Sequence, residues 1–184
     1  MKKTHQQSNI DFRFMSLEFR LRDWLRPPSK ILREAGALPG MTILDFGCGP
    51  GGFSVASARL VGPEGCVFAV DIHPLALNSI QRIIAKRGFK NIQTVFGENI
   101  ADIPEGSVDI ALLYDVLHDL PDPGRTLVEL QRLLKPNGVL SVSDHHLKEA
   151  LLLSLITGTG LYVLSGRTRW TFQFDRIKNS RTAK

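Results

Sequence analysis

The stretch ILDFGCGPGGFS, residues 43 to 54, restricts the fold more than any other part of the chain. A short apolar run ends in an acidic residue and opens directly into glycines. Ile43, Leu44 and Phe46 suit a buried strand, and the run is too short for a core helix. Gly47, Gly49, Gly51 and Gly52 let the backbone take positive φ and let a ligand approach with no Cβ in the way. The helix that follows begins with unpaired N–H groups. Strand, glycine turn and helix N-terminus, in that order, hold a nucleotide-like ligand beyond the strand ends of an open α/β sheet. Gly47-x-Gly49-x-x-Gly52 also fits the spacing of a dinucleotide site. Asp45 argues against phosphates, because a carboxylate two residues before the first glycine repels a pyrophosphate and attracts an ammonium group.

The rest of the chain reads as alternating strands and helices. Pro27-Pro28 begins a helix over 28–36 that Gly36 ends. Cys66 to Val70 is a continuous apolar strand, which means burial on both faces and hence a parallel sheet. It ends at Asp71, roughly twenty residues past the glycines, where an acidic side chain accepts from a ribose diol; the competing role for Asp71 is an N-cap of the next helix. That helix, 74–87, carries Leu77, Ile80, Ile83 and Ile84 on one face and closes at Gly88. A third strand spans 91–96 and a fourth 108–114. Tyr114, Asp115, His118 and Asp119 fall just past the carboxyl end of the fourth, beside the glycine turn, where a substrate is met. A helix over 122–135 runs into Lys135-Pro136-Asn137-Gly138, read as a turn, and a fifth strand covers 139–142. A helix over 147–156 precedes a hairpin of 161–164 and 170–174.

The Asp45-x-Gly47-x-Gly49-x-Gly51 form, the Leu-Lys-Pro-x-Gly sequence before strand five and the closing hairpin together resemble the class I S-adenosylmethionine-dependent methyltransferases. The resemblance covers residues 27 to 176, is strongest at 41–73 and 108–143, and lies nearest the small-molecule enzymes of the ubiquinone/menaquinone type. It implies a Rossmann-like, seven-stranded, mostly parallel sheet with an antiparallel last strand between the fifth and sixth, and helices on both faces. It implies S-adenosyl-L-methionine as cofactor and S-adenosyl-L-homocysteine as product. Asp45, Gly47, Cys48, Gly49, Gly51, Asp71, Ile72 and Tyr114 then belong to the cofactor site. Glu98 and Asn99 take the adenine edge, where the family more often has Asp-Ala. For an acceptor that carries a proton, His118 is the candidate base, an imidazole able to exchange a proton near neutral pH. His145 and His146 are second candidates, read as a solvated pair. Asp115 and Asp144 are similar to the carboxylates of catechol-type metal sites, but the amide ligand expected beside Asp144 is missing, so no metal is expected.

Residues 1–26 form a separate N-terminal segment ahead of a methyltransferase domain at 27–184. Phe12, Phe14, Met15, Leu17, Phe19, Leu21, Trp24 and Leu25 are interleaved there with arginines. Such a segment is a candidate lid over the active site, or a helix packed on the sheet flank. Composition supports a single domain: 184 residues, 43% of them apolar, are enough for one core. Two cysteines are too few for a disulfide framework, which points to a reducing, cytoplasmic setting. No apolar run reaches membrane length. The net charge of +5 and the arginines are what speak for RNA. The Asn/Asp-Pro-Pro-aromatic signature and the Pro-Cys nucleophile of nucleic-acid enzymes are absent, so a small-molecule acceptor is expected. Three alternatives stand beside it: a non-catalytic S-adenosylmethionine-binding protein, an RNA methyltransferase and an NAD-binding protein.

Overall fold

The computed structural model describes residues 27–97 and 100–177. Strand β1 (Thr42–Phe46) lies at the centre of the sheet. Its alternating side chains divide the core: Ile43 points to one face, Leu44 and Phe46 to the other. The same alternation runs through β2 (Cys66–Asp71) and β4 (Val108–Tyr114), which flank β1 in parallel. Val67, Ala69, Ile110, Leu112 and Tyr114 share the face of Ile43, whereas Phe68, Val70, Ala111 and Leu113 share that of Leu44. Burial on both faces is what the continuous apolar strands required.

With β3 (Ile92–Phe96), β5 (Leu134–Ser143), β6 (Tyr162–Arg167) and β7 (Phe172–Arg176), the described residues form a seven-stranded sheet in the order β3-β2-β1-β4-β5-β7-β6. β5, β7 and β6 pair antiparallel, so β7 inserts between the fifth and sixth strands as expected. On the Ile43 face the core takes side chains from α1 (Pro28–Glu34), α2 (Gly52–Val61) and α3 (Pro74–Arg87). On the opposite face it takes them from α4 (Pro123–Leu133) and α5 (Glu149–Thr157). The strand order reverses at β1 and β4, so their carboxyl ends and the loops after them border the one crevice where this architecture binds ligands.

Most expected elements stand within two residues of their observed bounds; the fifth strand does not. The predicted turn Lys135-Pro136-Asn137-Gly138 is part of β5, which already begins at Leu134 opposite Val108. The ladder breaks between Val108 and Ile110 and resumes at Val139. Two contacts hold this irregular stretch. A Cβ on Gly138 would sit 2.8 Å from the Val108 carbonyl oxygen, so the two backbones approach closely because residue 138 is glycine. Lys135 Nζ contacts both carboxylate oxygens of Asp109 at 2.7 Å. The helix expected to run to 135 therefore stops at Leu133.

Candidate active site

The glycine turn forms as its residues dictate, with one correction. Gly47, Gly49 and Gly51 take φ of +77°, +51° and +95°. Gly52, expected to share that conformation, instead opens α2 as an ordinary helical residue behind the Gly51 cap. A Cβ on Gly47 would overlap the Val116 side chain, so the loop after β4 packs directly over the turn.

The amides of the turn are engaged within the chain. Gly47 and Cys48 both donate to the Val70 carbonyl, at 2.8 and 2.9 Å, and Gly51 donates to Cys48 at 3.0 Å. Gly49 N–H donates to Asp71 Oδ2 at 2.8 Å. These four donors are not arranged as a cradle for an anion. The carboxylates point the field the other way. Asp45 is buried on the α2 face and accepts from Ser54 Oγ at 2.5 Å. Burial first, and then the charges of Asp45 and Asp71, push the Cys48 thiol well above the usual range for cysteine. Tyr114, raised chiefly by burial, also feels Asp45. The turn is therefore electronegative and suits a cationic group.

Asp71 joins the turn to the end of β2. Its Oδ1 accepts the His73 N–H at 2.8 Å while Oδ2 holds Gly49. The helix-cap role falls instead to His73, whose Nδ1 accepts from Leu75 N–H at 3.2 Å. Burial raises the Asp71 carboxyl above its ordinary value, and the His73 and Gly49 amides pull it partly back. Each carboxylate oxygen has a second lone pair for a ligand hydroxyl. Next to it, Ile72 is 63% exposed, an apolar surface at the rim of the crevice.

Two expected residues are turned inward. Cys48 is buried in the core of the α1–α3 face. The Tyr114 hydroxyl shares a buried 2.8 Å hydrogen bond with Ser141 Oγ, and its ring meets Phe53 edge-on at 4.7 Å. Both line the floor of the site and do not reach into it. Glu98 and Asn99 lie outside the described residues, as does the segment 1–26.

The histidines read from sequence as a base and a solvated pair are one cluster. His118 Nδ1 lies 2.9 Å from Asp144 Oδ2, and His145 Nδ1 lies 2.7 Å from Asp115 Oδ1. The His146 ring lies between them, tilted by 41° to His118 and 40° to His145, its centroid 4.2 Å from His118 and 3.9 Å from His145. Asp115 and Asp144, considered as metal carboxylates, are thus each committed to an imidazole. Sequence reasoning placed all five residues near the crevice but missed their pairing. The available signal was an aspartate ending each of two neighbouring strands with a histidine one or three residues later.

Comparison with known proteins agrees with this geometry. A family model described as a methyltransferase domain matches residues 37–173. The chain is 36% identical over 135 residues to "2-phytyl-1,4-naphtoquinone methyltransferase" of Trichormus variabilis, covering 68% of this chain and 58% of that one. It is 32% identical over 112 residues to "Arsenite methyltransferase" of Halobacterium salinarum, covering 60% of this chain and 28% of that one. The chain thus spans less than two thirds of the length of these curated relatives. A solved structure of an S-adenosylmethionine-dependent methyltransferase from Aquifex aeolicus superposes with a TM-score of 0.73 at 28% identity, covering 83% of this chain and 90% of that one.

Proposed function

The chain belongs to the S-adenosylmethionine-dependent methyltransferases, and from that membership we propose that it moves a methyl group from S-adenosylmethionine to a small-molecule acceptor. The observation that carries the reading is the chemistry of the glycine turn. Its amides are engaged by Val70, Asp71 and Cys48, and carboxylates flank it. A diphosphate meets like charge there and competes for the amides of Gly47, Cys48, Gly49 and Gly51, which the chain itself already engages, and this argues against the NAD alternative. A ligand with ammonium and sulfonium groups meets complementary charge.

In this reading Gly47, Gly49 and Gly51 leave room for the amino-acid end of the cofactor. Asp45 supplies the field for its ammonium group, and Asp71 accepts from the ribose hydroxyls. Ile72 packs on the heterocycle. Glu98 and Asn99 are assigned to the adenine edge. Bound there, the cofactor supplies an activated methyl group whose leaving group is a neutral thioether. The chain's own task is then alignment and exclusion of water. Val116 over Gly47 brings the β4 loop, and His118 two residues on, to the mouth of the turn. His118 serves as base where the acceptor carries a proton.

The relatives' names supply the acceptor class. We favour a ring-bearing acceptor of the kind named in 2-phytyl-1,4-naphtoquinone methyltransferase over arsenite. Arsenite is thiophilic, and the thiol at the turn, Cys48, is buried with a raised pKa and offers no thiolate. Residues 1–26 are assigned to a lid whose apolar residues exclude water and whose arginines meet an anionic acceptor. A cytoplasmic location belongs to the same proposal and is supported by two free thiols. Among the described residues no helix is long and apolar enough to cross a membrane.

The test is mass-spectrometric detection of S-adenosylhomocysteine and methylated product when the purified chain meets S-adenosylmethionine with a reduced naphthoquinone, with arsenite, or with RNA. Turnover on the naphthoquinone alone is expected. No product from any acceptor by a chain that still binds S-adenosylhomocysteine would replace this reading with a non-catalytic one. For the lid, proteolysis within residues 1–26 should slow when S-adenosylhomocysteine is added; equal rates would remove it.

A further inference from the structure

The loops after β4 and β5 brace each other crosswise. Asp144, following β5, holds the ring of His118 from the β4 loop; Asp115, following β4, holds the ring of His145 from the β5 loop. Each carboxylate also takes a backbone N–H of the opposite loop, His118 on Asp144 Oδ2 at 3.1 Å and His145 on Asp115 Oδ1 at 3.1 Å. The brace involves backbone strain. Asp115 has φ of +55°, the one non-glycine residue with positive φ among those described. Strain of this kind persists where the surroundings over-determine it, and it gathers at functional sites.

The two pairs are not equivalent. His145 is 58% exposed and Asp115 12%, whereas His118 is 21% exposed and the Asp144 side chain is fully buried. We propose that Asp144 is a positioning residue for His118, fixing the ring tautomer that removes the acceptor's proton. The inference rests on the methyl-transfer reading above. Backbone capping alone needs only the two N–H contacts, from His118 and from His146 to Asp144 Oδ1 at 3.0 Å. The 2.9 Å contact to the ring is additional. A carboxylate can only accept, so Nδ1 carries the proton and the lone pair is left on Nε2.

The groups that face His118 are Asp144, Asp119 and the His146 ring, with the His145–Asp115 pair behind His146. Asp119 Oδ2 is 3.4 Å from Nε2 and its side chain is 68% exposed. It is a solvent-exposed neighbour of the ring and a counter-charge for the proton that the ring takes up. In the transfer, the acceptor X–H proton passes to Nε2, and the X–H electron pair stays on X and forms the bond to the methyl carbon. The S–C pair leaves with sulfur. The positive charge lost from sulfur reappears on the imidazolium, between Asp144 and Asp119.

The experiment is long-range ¹H–¹⁵N NMR of the histidine rings in the full chain, repeated with S-adenosylhomocysteine and in Asp144→Asn, with His118→Gln to assign the signals. The neutral His118 ring should carry its proton on Nδ1 in the wild type and lose that preference in Asp144→Asn. With 1,4-naphthohydroquinone as acceptor, Asp144→Asn should lower kcat roughly 10²-fold with the KM for S-adenosylmethionine unchanged. Its residual rate should climb steadily with pH as hydroxide replaces the base. An Nε2–H ring in the wild type, or a variant with unchanged kcat, would overturn the proposal. If S-adenosylhomocysteine shifts no amide of the glycine turn in the same samples, the parent reading fails instead. The wild-type tautomer decides the matter even if Asp144→Asn does not fold.

Discussion

Replacing Asp71 by alanine removes one carboxylate from two structures at once. In the free protein it leaves the Gly49 and His73 amides without acceptors, each now held at 2.8 Å. Hydrogen bonds to a charged group contribute about 1.5–3 kcal/mol each. Part of that is offset, because the ionised carboxylate is costly to bury, as its raised pKa shows. A net loss of about 2–3 kcal/mol follows, read as a lower urea midpoint with unchanged slope. If Asp71 accepts from the ribose as proposed, binding should weaken by a further ~1.5–3 kcal/mol, roughly ten- to hundredfold in Kd for S-adenosylhomocysteine. Asp71→Asn separates charge from hydrogen bonding. The folded state holds the Asp71 proton more tightly than the unfolded chain, so this group's share of stability is highest below the ordinary value of 3.8 and falls as pH rises through the raised folded value. Asp71→Asn should flatten that part of the pH dependence. Unchanged stability and Kd in Asp71→Ala would refute the reasoning; lost stability with an unchanged Kd would leave Asp71 a purely structural brace.

Gly47→Ala places a methyl group on Val116 at a backbone of positive φ, which should cost more than ~2 kcal/mol in urea unfolding. The double variant with Val116→Ala should recover part of the loss, and additive losses would contradict the contact. Tyr162→Phe removes a buried hydroxyl donating to the Leu127 carbonyl at 2.9 Å, for a loss of about 1 kcal/mol seen in thermal melting. Burial and the charges of Asp45 and Asp71 hold the Cys48 thiol protonated, so in Cys66→Ser, which removes the partly buried second thiol, an aromatic disulfide reagent should titrate Cys48 only in denaturant; fast labelling of that variant in its native state would contradict that environment.

What could be read from sequence was what local pattern determines. Strands β1, β2 and β4 announced themselves because both their faces are buried, and the glycine turn because Gly47, Gly49 and Gly51 all need positive φ. The start of β5 was hidden because it depends on the approach of Gly138 to Val108, thirty residues away. Engagement of the turn's amides depends on Val70 and Asp71 arriving from the next strand. The His118–Asp144 and His145–Asp115 pairs needed the β4–β5 adjacency before any spacing could reveal them. Tyr114 was placed correctly at a strand end, but the alternation that turns it toward Ser141 makes it floor and not wall.

An electronegative glycine turn should hold a nucleoside that carries an ammonium group and reject a diphosphate. Calorimetric titration of the full chain with S-adenosylhomocysteine, repeated in the presence of excess NAD, tests it most directly. One site of micromolar-range affinity that NAD does not displace is expected. Absence of binding heat, or displacement by NAD, would contradict it.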